Sequence, residues 1–254
     1  MKLVLSWIFF FQTFVFANAF AELAFLKNFP KQSYREVFSD GRLIGKTESS
    51  WREVEGARLE FNEQSSMQIQ LFGKAQTIST QLSISTDDQL FIQNFTYEMK
   101  SDDSTLRVEG QRSNDLMRLK KLQAGGQQVK EIALQEPILL LPLIRPFLLK
   151  RGLMGLKKEF VETAQLLEPA ALTLIPMNLR AKANSKGYEV ITTYLSQTLT
   201  SQLDLKGELI EEKTDFAGVP LLEKTVSREH FQSVKIAGMT SDLVERVKVD
   251  FPRL

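Results

Sequence analysis

Apolar and polar residues alternate with a period of two along most of this chain. Ala57, Leu59 and Phe61 stand between Arg58 and Glu60, and Met67, Ile69 and Leu71 between Gln68 and Gln70. The pattern returns at Thr80, Leu82 and Ile84, at Phe95, Tyr97 and Met99, and at Leu106 and Val108. It resumes at Tyr188, Val190, Thr192 and Tyr194 and at Leu199, Leu203 and Leu205. One apolar and one polar face per run is the signature of an antiparallel sheet covered on one side. Turn pairs separate the runs: Asp40-Gly41, Glu55-Gly56, Asp87-Asp88, Asp102-Asp103, Gly125-Gly126, Lys186-Gly187 and Lys206-Gly207. The spacing predicts about ten to twelve short strands. The expected fold is mainly β, a single strongly curved antiparallel sheet or half-barrel. Leu59, Phe61, Ile69, Leu71, Leu82, Ile84, Tyr97, Val108, Val190 and Tyr194 are expected on its concave face.

One segment breaks the rhythm. From Pro137 to Arg151 the chain reads PILLLPLIRPFLLKR, apolar on every side. A helix without a polar face demands burial all round. Pro137 suits a first helical position, whereas Pro142 and Pro146 would bend or interrupt the helix beyond it. A short bent helix plugging the open side of the curved sheet fits this pattern. A movable lid over an apolar cavity, or an apolar surface offered to a partner, fits it too. Leu139, Leu143, Ile144, Phe147 and Leu148 are therefore the candidate ligand-binding residues. Lys150, Arg151, Lys157 and Lys158 come next, as a solvated connection or a contact for anionic headgroups.

The start of the chain has three parts of its own. Lys2 precedes an apolar stretch from Leu3 to Phe16, and Ala17-Asn18-Ala19-Phe20-Ala21 closes it with small residues. Charge, short apolar core and A-x-A exit make a secretory signal peptide, with cleavage after Ala19 or Ala21. The apolar run is shorter than a spanning helix requires, so no stable membrane anchor is expected after processing. The expected organisation is a signal peptide over 1–21 and a single β-rich domain over 22–254 with a helical insertion at about 137–151.

Composition narrows the setting. The chain has no cysteine. A lipid anchor on a processed cysteine is thereby excluded, and stability must come from the core rather than from disulfides. An exported chain of this kind fits a bacterial envelope, periplasmic or secreted, better than a eukaryotic extracellular space. Basic residues number 32 and acidic residues 31, and removing a leader that contains Lys2 balances them. Nucleic acid needs a basic footprint, so it is not an expected partner.

Candidate chemistry is sparse. His230 is the sole histidine, which leaves no His/Cys cluster for a metal. No G-x-S-x-G elbow presents a serine to it, and no glycine-rich loop is spaced to cradle phosphate. The acidic pairs at 87–88 and 102–103 read as hairpin tips. The expectation is a protein without enzyme activity, cofactor or metal.

Two stretches carry a resemblance. The first is Tyr34-Arg35-Glu36-Val37, then Asp40-Gly41-Arg42-Leu43-Ile44-Gly45 and Trp51. The second is Lys206-Gly207-Glu208-Leu209-Ile210-Glu211-Glu212, then Phe216-Ala217-Gly218-Val219-Pro220 and Glu223. Together they resemble the β-rich extracytoplasmic domain upstream of the catalytic domain in some bacterial transglutaminase-like proteins. The resemblance implies a curved antiparallel sheet with a short central helical insertion. It brings no catalysis, because this chain lacks the cysteine of that triad. The architecture is also similar to the half-barrels of envelope lipid and lipoprotein carriers, which shelter an acyl chain. Two roles are consistent with these likenesses: a non-catalytic binding or scaffolding module of the bacterial cell envelope, accessory to a separately encoded enzyme, or a periplasmic carrier of a lipid or other apolar ligand. The expected partner is accordingly an envelope protein or an apolar ligand.

Overall fold

A computed structural model describes residues 31–54, 58–71, 73–134, 137–155, 159–216 and 219–240. The signal peptide expected over 1–21 lies outside them, as do Ala57, the Glu55-Gly56 turn, Lys157 and Lys158.

The described residues form one sheet of fifteen strands. An eight-strand meander comes first: β1 (Gln32–Ser39), β2 (Arg42–Val54), β3 (Arg58–Leu71), β4 (Lys74–Thr86), β5 (Ile92–Lys100), β6 (Thr105–Ser113), β7 (Leu116–Gln123) and β8 (Gly126–Ala133). The chain then jumps to the opposite edge of the sheet with β9 (Ile138–Leu139) and meanders back. The return runs through β10 (Phe160–Glu168), β11 (Thr173–Asn184), β12 (Gly187–Tyr194), β13 (Gln197–Leu203), β14 (Leu209–Phe216) and β15 (Val219–Val226). β15 pairs antiparallel with β1, so the first and last strands meet in the middle of the sheet. Ala133 and Ile138 are five residues apart, which holds the two outer edges within roughly 17 Å of each other at that point. No ladder joins β8 to β9 among the described residues, and the curved sheet stays open there.

More strands form than alternation alone predicts. β8 has no apolar face to announce it, because all but one of its residues are exposed, as suits a charged edge strand. β9 is only two residues long and pairs with β10 in parallel, the one parallel ladder in the described sheet. Turn pairs 40–41, 87–88, 102–103, 125–126, 186–187 and 206–207 all fall at strand connections. Leu205 departs from its expected run: β13 ends at Leu203, and Leu205 lies in the following turn, 69% exposed. That turn is built by Asp204, whose Oδ1 accepts from the backbone N–H groups of Lys206 and Glu208 at 2.8 Å each.

The helical insertion is shorter than Pro137 to Arg151. Ile138 and Leu139 are strand β9, Leu141–Leu143 form a 3₁₀ turn, and only Ile144–Lys150 are α-helical (α1). Pro142 falls in the 3₁₀ turn and Pro146 in the first turn of α1. A missing N–H costs nothing there, since first-turn N–H groups have no intrahelical acceptor.

The plug is buried on the concave face as its composition demands. Leu139, Leu143, Ile144, Phe147, Leu148 and Leu149 pack with Leu59, Phe61, Leu82, Ile84, Val108 and Val190, while Tyr97 and Tyr194 close over them from the rim. Each fully buried Leu, Ile or Phe contributes about 1.5–3 kcal/mol. The far end of α1 is tied down as well. Lys150 Nζ donates to Gln89 Oε1 (2.7 Å) and to the Asp88 carbonyl (3.2 Å), and Arg151 pairs with Glu162 (3.0 Å).

Ile69 does not join this core. It packs with Val219, Met67, Ile78, Leu221 and Met239 in a separate small cluster. Alternation does keep Ile69 on the same face as Phe61, but β3 is long enough to pass beyond the plug. The side chain of Leu71 lies outside what the structure describes.

The convex face carries a second helix, α2 (Arg228–Ser233), capped by Ser227, whose Oγ accepts from the His230 N–H at 3.2 Å. The Phe231 ring packs tilted against Tyr34, their centroids 5.2 Å apart, and Lys46 lies 4.8 Å over the Phe231 ring. Lys46 Nζ also donates to the carbonyls of Phe231 and Val234. His230 Nε2 stands 3.4 Å from Oε1 of Glu36, a carboxyl only 3% exposed. Tyr34 and Glu36 are on this side because neighbouring positions of a strand point to opposite faces, and Arg35 points inward.

Candidate functional site: an amphipathic cavity under the plug

Between the plug and the middle of the sheet lies a cavity of about 370 Å³. Leu140, Ile144, Leu148, Leu166 and Leu167 give it an apolar side. The opposite side is polar, and strand register explains why. Thr80 of β4 faces Ser65 of β3, Ser65 faces Thr47 of β2, and Thr47 faces Arg35 of β1. On the other side of β1, Glu223 of β15 faces Glu212 of β14, which faces Ser201 of β13. Inward-pointing polar residues on seven successive strands thus form one belt across the sheet.

Charge concentrates where the two halves of the belt meet. Arg35 forms ion pairs with Glu63 and, at 3.1 Å, with Glu223. Their side chains are only 14%, 20% and 17% exposed. Ser201 Oγ donates to Glu212 Oε2 at 2.6 Å. Arg145 enters from α1 above, and Glu168 lines the rim, its Oε1 accepting from the Ala170 N–H at 3.2 Å. Two guanidiniums therefore face four carboxyls around one cavity.

Burial sets the titration of these groups. It opposes the charge of Arg35, but Glu223 and Glu63 outweigh it and hold the guanidinium above its ordinary pKa. Burial, and then the Arg35 charge, lower Arg145 to about 10, with the carboxyls offsetting part of the loss. Glu63 is pushed above the ordinary carboxyl value by burial, against the pull of Arg35. Glu212 is pushed up by burial and by the charge of Glu223, against Ser201, Arg35 and Arg145. Both arginines stay charged at neutral pH, and the carboxyls take the strain of desolvation. Tyr97, raised by burial and Glu168, stays a neutral phenol at the wall.

Of the plug residues singled out by sequence, Ile144 and Leu148 line the cavity. Leu139, Leu143 and Phe147 are buried in the packed core beside it. Sequence reading missed Arg35, Glu63, Arg145, Glu212 and Glu223 as a site. Glu63 did carry a signal, because it occupies the same parity on β3 as Phe61, Met67 and Ile69. Arg145 likewise interrupts an otherwise apolar run. His230, on the convex side, does not line the cavity. Among the described residues no three His, Cys, Asp or Glu side chains are grouped to hold a metal ion.

No family profile matches the chain, and no curated protein does. Among solved structures, the chain is similar to a β-barrel-like protein of the domain of unknown function DUF1849 from Brucella abortus. The TM-score is 0.55 with 11% identity over 77% of this chain and 95% of that one. A DUF1089 family protein from Pseudomonas aeruginosa scores 0.39 with 12% identity over 65% of this chain and 87% of that one. At such identity the first likeness establishes a shared β-barrel-like fold and nothing more, and it brings no link to transglutaminase-associated domains.

Proposed function

We propose that this chain is a non-catalytic binding module of the bacterial cell envelope, which carries a lipid or other apolar ligand with a polar end in its interior cavity. The observation that carries the reading is the two-sided cavity, with the Leu-rich plug on one wall and the polar belt on the other. A volume of about 370 Å³ falls within the range of small-molecule sites, roughly 300–1,000 Å³. An amphipathic lining of this kind places an acyl or alkyl chain against the plug and a head group against the belt. The absence of cysteine and the position of His230 outside the cavity support a binding rather than a catalytic role. The leader-like first 21 residues support export to the periplasm.

Accessory service to a separately encoded enzyme would need an outward apolar surface. Leu139, Leu143 and Phe147, the plug residues best suited to one, are buried instead. Expressing the chain in a bacterial periplasm, purifying it without detergent and weighing it by native mass spectrometry tests the reading. A co-purifying amphiphile is expected, lost when Leu148→Trp fills the cavity. A ligand-free protein that instead retains an envelope enzyme would overturn carriage in favour of the accessory role.

A further inference from the structure

Several buried side-chain polar atoms have no hydrogen-bond partner among the described residues, and the one that belongs to the cavity wall is a donor, Arg35 Nε. Arg35 gives Nη1 to Glu223 at 3.1 Å and Nη2 to Glu63, and neither carboxyl serves Nε. Buried N–H groups are ordinarily met by protein or by a bound molecule, and leaving one unmet is costly. The Arg35 side chain lines the cavity, so the missing acceptor is one that a cavity ligand can supply.

A second guanidinium converges on the same place. Arg145 lines the cavity from the plug, across from Arg35 on the sheet, and the Arg35 charge is felt there. Two guanidiniums brought together in a buried site present their N–H groups to one oxyanion, and their forked geometry matches a carboxylate. The surrounding carboxyls do not close the site to such a guest. Glu63 and Glu223 are engaged by Arg35, and Glu212 accepts from Ser201. Burial also pushes Glu63 and Glu212 towards the neutral form, in which a carboxyl donates a hydrogen bond. Thr47 and Ser49 line the same wall, opposite Arg35 and Glu63 in strand register, and add hydroxyl donors. An ammonium placed here would meet two groups of its own sign and leave Arg35 Nε unmet.

Resting on the binding reading above, we infer that the polar end of the ligand is an anionic oxygen acceptor: a carboxylate on an apolar chain, held between Arg35 and Arg145 with its chain along Ile144 and Leu148.

Isothermal titration of the purified chain at neutral pH with decanoate, decanol and decylammonium tests this inference. Decanoate is expected to bind at least about tenfold more tightly than either of the others, the scale of one hydrogen bond to a charged group. In Arg145→Gln, checked for folding by circular dichroism, decanoate affinity is expected to fall by about the same factor while decanol affinity changes little. Should that variant fail to fold, the ranking of the three ligands on the unaltered chain still decides. Decylammonium or decanol binding as tightly as decanoate, or a decanoate affinity untouched in folded Arg145→Gln, overturns the anionic head while leaving the cavity a binding site. If all three amphiphiles fail to bind, the carrier reading itself falls, and this inference with it.

Discussion

Arg35 lies 3.1 Å from Glu223, a partner 188 positions away in the chain. The contact exists because β1 pairs with β15 at the centre of the sheet, and the same guanidinium reaches Glu63 from β3 on its other side. The link is electrostatic and buried, so its loss leaves carboxylates stranded rather than rehydrated.

Arg35→Met is expected to destabilise the protein by about 3–5 kcal/mol, the usual cost of leaving buried charges uncompensated. Urea unfolding followed by circular dichroism reads this directly. Arg35→Lys should recover only part of the loss, because one ammonium cannot present the guanidinium's spread of donors to two carboxylates. A loss below about 1 kcal/mol in Arg35→Met would class the cluster with solvated surface pairs.

Stability should fall as pH rises through the carboxyl range. Glu63 and Glu212 have folded pKa values above their unfolded ones. The folded chain therefore binds protons more tightly than the unfolded chain, and their contribution is complete below the unfolded carboxyl value. It is lost as pH climbs through the raised folded values. Thermal midpoints measured from mildly acidic to neutral pH should decline, and Glu63→Gln/Glu212→Gln should flatten the slope. A wild-type midpoint that rises steadily over this range contradicts the assignment.

Gly110 is held by packing and not by backbone conformation. A Cβ at this position would lie 2.0 Å from Cε1 of Phe95, its partner on the neighbouring strand. Phe95 is itself 2% exposed and has no room to retreat. Gly110→Ala should cost about 1–3 kcal/mol through overpacking, whereas Gly125→Ala, with nothing within 4 Å of the added carbon, should cost far less. Paired denaturant titrations of the two variants make the comparison.

The plug should separate stability from binding. Leu143 has 0% exposure and does not line the cavity, so Leu143→Ala should cost about 2–5 kcal/mol. Leu143→Asp should prevent folding outright by burying an unpaired charge. Ile144→Trp, on the cavity wall, should instead weaken amphiphile binding more than it lowers the unfolding midpoint. A Leu143→Asp variant that keeps both folding and ligand retention intact would remove the plug from any account of this protein.

α2 is fastened less firmly than the plug. Phe231→Ala removes the ring that meets Tyr34 and Lys46, a contact worth about 0.5–1.5 kcal/mol for its aromatic part. The expected sign is faster proteolysis after Ser227 with the main unfolding transition little changed. A large drop in the global midpoint would instead make α2 part of the core.

Much of the fold is legible in local pattern. Period-two alternation assigns Leu59, Phe61, Leu82, Ile84, Val108 and Val190 to one face, and pairs such as Asp40-Gly41 and Lys186-Gly187 mark where strands reverse. Both signals act within a few residues, so they survive without knowledge of the partner strand. The apolar run from Ile138 to Leu149 announces its own burial in the same way, because no face of it tolerates water. Its secondary structure is another matter: the same residues suit a strand or a helix, and Ile138 and Leu139 became β9 because β10 offered them an open edge.

The site was decided by tertiary structure. Arg35, Glu63, Glu212 and Glu223 come from β1, β3, β14 and β15, and Arg145 from the plug, so no local spacing relates them. Sequence by itself put Glu63 on the same parity of β3 as Phe61 and Ile69, whereas the local patterns around Arg35, Glu212 and Glu223 carry no such mark. Only the long-range closure of β15 onto β1, and the jump of the chain from β8 to β9, brought these inward positions together around one cavity. Registers between strands nearly two hundred residues apart depend on every intervening turn, and their charges become a site only when burial lowers the dielectric around them.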